Sequence, residues 1–152
     1  MVDNNTAQVN DEPCQNDILT KLFGNVVSSY TRADALEDGF LVDVSEIATE
    51  TGFKFPTAVT RSVWDNYIEW TEEDSKRQTY QDQSGRLWDV LWMAFVAIKT
   101  SKQNTNPTKL YKLYCVPRGG QKRKAREITL KMIVGPGDQG EGVITIMMPN
   151  ED

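Results

Sequence analysis

The hydrophobic pattern changes its period once, near residue 103, and this change limits the fold more than any other feature. Before it, the segment 86–102 (RLWDVLWMAFVAIKTSK) repeats apolar residues at helical spacing. Its continuous stripe is Leu87, Val90, Leu91, Ala94, Phe95 and Ile98, widened by Trp88, Trp92 and Val96. After the interruption at 103–107, apolar residues alternate with a period of two, which is typical of strands. The sequence therefore predicts a helix buried on most sides, followed by a sheet.

After the interruption the sequence contains three strand-like runs separated by glycine-rich connections; the first two alternate, and the third is rich in β-branched residues. The runs are KLYKLYCVP (109–117), REITLKMIV (126–134) and VITIMMP (143–149). The connections RGGQKRKA (118–125) and GPGDQGEG (135–142) have the composition of turns. Short connections favour antiparallel neighbours, so these runs predict a three-stranded antiparallel meander.

The first half of the chain predicts shorter elements. Thr31 and Asp34 have the spacing of a helix N-cap, and Gly39 suits the position that follows a helix. A short strand is predicted at 40–44, and Ser45 begins a second short helix, which Gly52 closes. The segment FKFP (53–56) is too short to assign, and Pro56 limits it to an edge strand or a turn.

A stronger helix is predicted over about 60–72, and the polar segment 71–85 is predicted to be a loop or a frayed extension of that helix. The four tryptophans lie on the apolar sides of the two long helices and are predicted to be core residues. The predicted fold class is therefore α+β, with two main amphipathic helices and short mixed elements packed on a C-terminal three-stranded antiparallel sheet. We expect a disordered tail over 1–16 and one domain over 17–152.

The amino-acid composition excludes several function classes. There is no histidine, which removes Ser-His-Asp and Cys-His nucleophile activation and the usual catalytic zinc sites. No apolar run approaches the roughly 20 residues of a membrane span, and the first residues do not resemble a signal peptide. We expect a cytoplasmic, non-enzymatic protein that has no cofactor, metal or membrane partner. Carboxylate chemistry with Arg32 is the enzymatic alternative.

Positive charge is concentrated near the first glycine-rich connection. Residues 109–131 hold eight Lys/Arg and one acid, a net of +7, whereas the rest holds nine Lys/Arg and 21 acids, a net of −12. The candidate partner-binding residues here are Arg118, Lys122, Arg123, Lys124 and Arg126. Such cations and the Gly-Gly backbone can hold phosphates, and Tyr111 and Tyr114 can stack on bases. The alternative is a solvated hairpin tip whose charges prevent strand-to-strand aggregation.

Negative charge is concentrated in residues 31–50, where six Asp/Glu accompany a single basic residue, Arg32. Glu37, Asp38 and Asp43 are the candidate partner-binding residues of this stretch. A dense negative face can mimic the DNA backbone and occupy a basic groove on a host protein. The alternative is that these acids serve only helix starts and turns.

Several segments together resemble a known family. They are YTRADALEDGFLVDVSEIATETGF (30–53), PTAVTRSVW (56–64), GRLWDVLWM (85–93) and GPGDQGEGVITIMMPNED (135–152). Over roughly residues 26–152 the chain resembles a family of small uncharacterised bacterial proteins, defined only as a domain of unknown function and often encoded on plasmids and other mobile elements. The resemblance implies a role in maintenance, transfer or evasion of host defence, and it brings no catalytic residue or ligand.

These observations lead to one main prediction and one alternative. The main prediction is a non-enzymatic macromolecule-binding protein of a mobile element, with an anti-defence or transfer-accessory role. Its partner would be a host or element-encoded protein. The alternative is direct nucleic-acid binding through the basic hairpin 117–126.

Overall fold

Residues 30–101 and 106–152 are described by a computed structural model. The predicted tail (1–16) and the short apolar segment after it (17–23) lie outside the described residues. The helices are α1 (Arg32–Asp38), α2 (Ser45–Thr51), α3 (Arg61–Val63), α4 (Glu72–Arg77) and α5 (Gln83–Thr100). The strands are β1 (Leu41–Asp43), β2 (Thr57–Thr60), β3 (Thr108–Cys115), β4 (Arg126–Pro136) and β5 (Gly142–Met147).

The strands form one mixed sheet of five strands, in the order β1-β2-β5-β4-β3, across the part of the chain that the structure describes. β3, β4 and β5 pair antiparallel, as the alternating pattern predicts. β2 runs parallel to β5, with Val59 opposite Ile146, and β1 pairs antiparallel with β2. The α+β class is therefore confirmed, but the prediction of a three-stranded, purely antiparallel sheet is wrong.

Strand β2 is the element that completes the sheet, and no sequence pattern predicts it. All four of its residues are buried, because it lies between β1 and β5. A strand without a polar face has no alternation, so a run of four residues after Pro56 resembles a turn. Parallel pairing of β2 with β5 joins the first half of the chain to the C-terminal strands.

The predicted helix over 60–72 is shorter than expected. The side chain of Thr60 accepts a hydrogen bond from the backbone N–H of Val63, as an N-cap does, but the helix then widens into a π-helical turn over Trp64–Ile68. It ends at Glu69, whose N–H donates to the Trp64 carbonyl at 2.8 Å. Only one of the two main helices, α5, therefore has the length that the pattern predicts.

Part of the predicted loop at 71–85 is helical. Helix α4 begins after Thr71, whose hydroxyl accepts from the Asp74 N–H, while the Asp74 carboxylate accepts from the Thr71 N–H at 2.9 Å. This reciprocal capping satisfies two donors that a helix start otherwise leaves free. The same arrangement, formed by Thr31 and Asp34, begins α1 as predicted.

Helix α5 packs on the sheet with one side only. Its buried residues include Leu87, Val90, Leu91 and Ala94, and the hydroxyl of buried Tyr111 on β3 donates to the Val90 carbonyl at 3.1 Å. The expectation of a helix buried on most sides is wrong. Trp88 and Trp92 stack on each other on its outer side, where they are 38% and 44% exposed.

Helix α1 is attached to β5 and to the β4–β5 connection. The guanidinium of Arg32 donates to the Thr145 hydroxyl at 2.6 Å and to the Ile144 carbonyl at 2.9 Å. The Asp138 carboxylate accepts from the N–H groups of Arg32 and Ala33, and these bonds lower the pKa of Asp138. The residue of the enzymatic alternative, Arg32, thus holds α1 in place.

Candidate functional site

The connection between β3 and β4, residues 116–125, is called the basic loop below. Its base is bound by Gln78, which follows α4 and is 2% exposed. The Gln78 amide nitrogen donates to the Pro117 carbonyl at 3.0 Å and to the Lys122 carbonyl at 2.7 Å, and its oxygen accepts from the Gly119 N–H at 3.0 Å. One side chain therefore joins both ends of the turn to α4.

Arg118 also faces α4. Its Nε donates to Asp74 Oδ2 at 2.8 Å, its Nη1 pairs with the Glu69 carboxylate, and its backbone N–H donates to the Asn66 carbonyl at 3.1 Å. Arg118 is half-buried as a result. Of the five basic residues predicted to bind a partner, Arg118 is therefore the one that forms ion pairs within the molecule.

The Asp74 carboxylate is the centre of this attachment and is only 1% exposed. Burial alone would raise the pKa of Asp74, because it penalises the charged form. Hydrogen bonds from the Thr71 backbone, Arg118 and the Thr71 hydroxyl outweigh burial and lower the pKa of Asp74 to about 2. Arg77 adds a further pair at 2.8 Å. The carboxylate is therefore charged at neutral pH.

A buried arginine lies under the same loop. Arg86 on α5 donates to the carbonyls of Val116 at 2.8 Å and Ile68 at 3.1 Å, and its guanidinium lies 4.4 Å from the ring centre of Trp70. Burial lowers the pKa of Arg86. The predicted helix face that includes Trp70 is not formed, because Trp70 follows the π-helical turn and covers this arginine.

The other four basic candidates are exposed at the turn and at the start of β4. They are Lys122, Arg123, Lys124 and Arg126. None of them belongs to an ion pair with another described residue. Gly119 and Gly120 provide left-handed backbone here, with φ of 92° and 75°. The structure thus holds three consecutive unpaired cations on a turn whose base is fixed.

The two tyrosines of β3 point to opposite faces of the sheet. Tyr111 is buried against α5, which raises its pKa, so its predicted stacking role is wrong. Tyr114 is 67% exposed and lies on the outer face with Lys112, whose ammonium pairs with Glu127 at 3.6 Å. Of these two tyrosines, Tyr114 is the one that offers a stacking surface beside the basic loop.

The three acidic candidates are exposed at the other edge of the sheet. Asp38 accepts from the Tyr30 hydroxyl at 3.0 Å, and Asp43 accepts from the backbone N–H and the hydroxyl of Ser45 at the start of α2. Glu37 lies beside Asp38 in the last turn of α1 and is exposed. Because β1 and β3 are the two edge strands, the structure separates the acidic and basic candidates by the width of the sheet.

Sequence reasoning missed Asp74 and Gln78, the two residues that fix the basic loop. A signal for Asp74 exists, because Thr71 and Asp74 have capping-box spacing and Glu72 and Glu73 add acids to the first turn. No local signal exists for Gln78, whose partners are about 40 residues away in the chain.

The exposed basic and acidic residues can bind groups of opposite charge, and the described residues contain no cluster of metal-ligating side chains. Within 30–101 and 106–152, no group of three or more His, Cys, Asp or Glu side chains is placed to hold a metal ion. In the same residues, no helix is both long and apolar enough to span a membrane.

Comparison with known proteins gives a family and no function. No curated protein and no solved structure matches the chain. A family model described as "Family of unknown function (DUF6573)" matches residues 21–152, which include every described residue and both charged surfaces. The chain therefore belongs to this family of unknown function.

Proposed function

We propose that the protein is a non-enzymatic macromolecule-binding protein and that the basic loop is its contact surface. The observation that carries the proposal is the fixed base of the loop beneath Lys122, Arg123 and Lys124. A loop already held in place loses less conformational entropy on binding than a free one. Cations that lack an internal partner gain most from a partner with negative charge.

A protein partner agrees best with the charge distribution. The chain outside 109–131 carries a net charge of −12, which repels an extended polyanion such as duplex DNA. A folded partner with an acidic patch avoids most of this repulsion, because it touches only the loop. A partner with both signs of charge would also reach Glu37 and Asp38 across the sheet.

Nucleic acid is the second candidate, and the exposure of Tyr114 favours it. This ring lies on the strand that enters the basic loop and is free to stack on a base. The contact would be short, since only a few cations are available. Its affinity would fall with salt by a slope of about 0.7 per phosphate for a single strand.

The biological setting is part of the proposal. Family resemblance suggests a bacterial mobile element, and an anti-defence or transfer-accessory role would give a host or element-encoded protein as partner. Cytoplasmic location belongs with this setting. None of these points depends on the geometry of the basic loop. The proposal that the loop is the contact surface would therefore stand even if the setting, the role or the location were different.

Affinity capture with three tagged variants tests the contact surface. The loop variant combines Lys122→Glu, Arg123→Glu and Lys124→Glu, and the edge variant combines Glu37→Lys with Asp38→Lys. Asp43 is left unchanged because its carboxylate accepts from the backbone N–H and the hydroxyl of Ser45 at the start of α2. The charge control combines Lys54→Glu, Lys99→Glu and Lys112→Glu, which changes the net charge as much as the loop variant does.

We expect a salt-sensitive partner that the wild type, the edge variant and the charge control retain and the loop variant loses. Loss with the edge variant alone would move the contact to the acidic edge. Equal loss with the charge control would mean that net charge, not the loop, determines binding. Mass spectrometry and nuclease treatment of the captured material separate a protein partner from nucleic acid.

A further inference from the structure

A cavity of about 530 Å³ lies at the end of the sheet where α5 ends. Its walls combine the C-terminal half of α5, strands β4 and β5, and the segment after α2. Apolar side chains dominate them: Phe53, Phe95, Ile98, Met132, Val134 and Ile144. The volume is within the roughly 300–1,000 Å³ of small-molecule sites, which are also mostly apolar.

Every charged residue that lines this cavity, among those the structure describes, is a lysine. Lys54 follows α2, Lys99 lies in the last turn of α5, and Lys109 begins the inner face of β3. Lys99 Nζ is 5.4 Å from the ring centre of Phe95, and Lys109 Nζ donates to the Ser101 hydroxyl. In a chain with a net charge of −5, three cations without a lining carboxylate are a local reversal of charge.

We propose that this cavity binds an amphipathic anion, with a fatty-acid carboxylate as the chemical class. The hydrocarbon chain would lie against the phenylalanines and the strand residues, because burial removes its apolar surface from water. Lysine stems can lie along such walls while their ammonium groups remain at the mouth, where they would hold the carboxylate.

The charge of the site distinguishes this ligand from a neutral or cationic one. The C-terminal end of α5 lies beside the cavity and carries about half a negative charge, which on its own would favour a cation. Three ammonium groups exceed this partial charge. The binding energy of the carboxylate should therefore depend on lysines, and that of the hydrocarbon chain should not.

The site is independent of the basic loop and shares no residue with it. It is tested by NMR titration of the full chain with decanoate and decyltrimethylammonium, each below its micellar concentration, and with decanol below its solubility limit. The first variant combines Lys99→Gln and Lys109→Gln. Its matched control is Lys112→Gln, because Lys112 lies on the same strand as Lys109 but on the opposite face.

We expect saturable binding of decanoate, with shift changes at Ile98, Met132 and Val134, and clearly weaker binding of the other two probes. The double variant should weaken decanoate binding by about threefold to tenfold, as exposed charge pairs do, and the control should not change it. A second variant, Val134→Phe, fills the cavity and should weaken all three probes.

Three results would overturn the proposal. The first is the absence of saturable decanoate binding. The second is equal affinity for decanoate and decanol with no effect of the double variant, which would remove the role of the lysines. The third is a set of shift changes outside the cavity that Val134→Phe leaves intact, which would place the ligand elsewhere.

Discussion

Arg118 donates from Nε to the carboxylate of Asp74 across 2.8 Å, although 44 residues separate them in the chain. The pair connects the basic loop to the start of α4, where Asp74 also caps the helix. The basic residues of the loop therefore form two groups, one paired within the molecule and one not. Arg118 is paired with acids of the fold, whereas Lys122, Arg123 and Lys124 are exposed and belong to no ion pair among the described residues.

Stability should fall in acid because of Asp74. The pKa of Asp74 is lowered from 3.8 to about 2 in the folded protein, so its contribution is present above pH 3.8 and is lost as the pH falls through about 2. The difference corresponds to about 2 kcal/mol. Urea unfolding between pH 5 and pH 2 should show this decline in the wild type.

Asp74→Asn should remove the same part of the pH dependence, since the variant has no carboxylate at this position. Glu73→Gln, an exposed acid in the same helical turn, is the matched control and should leave the curve unchanged. An unfolding free energy whose slope with pH is the same in the wild type and in Asp74→Asn would show that this carboxylate is not the cause.

Gln78→Ala should cost about 2 kcal/mol of unfolding free energy, because it leaves two carbonyls and one N–H of the basic loop without their partner. Gln121→Ala, at an exposed position within the loop, should change stability by less than about 0.5 kcal/mol. Chemical denaturation of both variants measures the difference. Equal stabilities would mean that the loop is held by other contacts.

Gly52→Ala should destabilise the protein by more than about 3 kcal/mol, because two penalties combine. Gly52 has a φ of 120°, and an added Cβ would lie 2.7 Å from Phe95 Cε1. Gly119→Ala, at a φ of 92° with no atom within 4 Å, should cost only about 1 kcal/mol of backbone strain. Thermal unfolding that ranks Gly119→Ala as the worse variant would contradict this packing.

The sequence predicts the fold best where an element has an exposed polar face and a buried apolar face. Helix α5 and strands β3 and β4 have one polar and one apolar side, so their periods identify them, whereas β5 is largely apolar on both faces and is identified by its β-branched residues. Strand β2 is buried on both faces and short, and nothing local reveals its parallel pairing with β5. The prediction of a helix over 60–72 is wrong for another reason. A π-helical turn rotates the residues after Trp64 away from the expected face.

For the site, too, the local sequence predicts exposure, but it does not predict contacts between residues that are far apart in the chain. The distribution of charge along the sequence identifies the cluster of basic residues, and the turn composition of 118–125 predicts that Lys122, Arg123 and Lys124 are exposed. The local sequence cannot assign Arg118 to a different role, because that role depends on Asp74 and Glu69, which lie far away in the chain. Tyr111 and Tyr114 differ for a reason that the strand period does contain, since residues three apart on a strand face opposite sides.

The most direct measurement is backbone hydrogen exchange of the protein, compared between the free protein and its complex with the captured partner. We predict that the partner slows exchange at the backbone amides of residues 118–125 and leaves those of residues 37–43 unchanged. The loop variant should show no such protection. Protection at 37–43 with none at 118–125, or no salt-sensitive partner at all, would contradict the assignment of the basic loop as the contact surface.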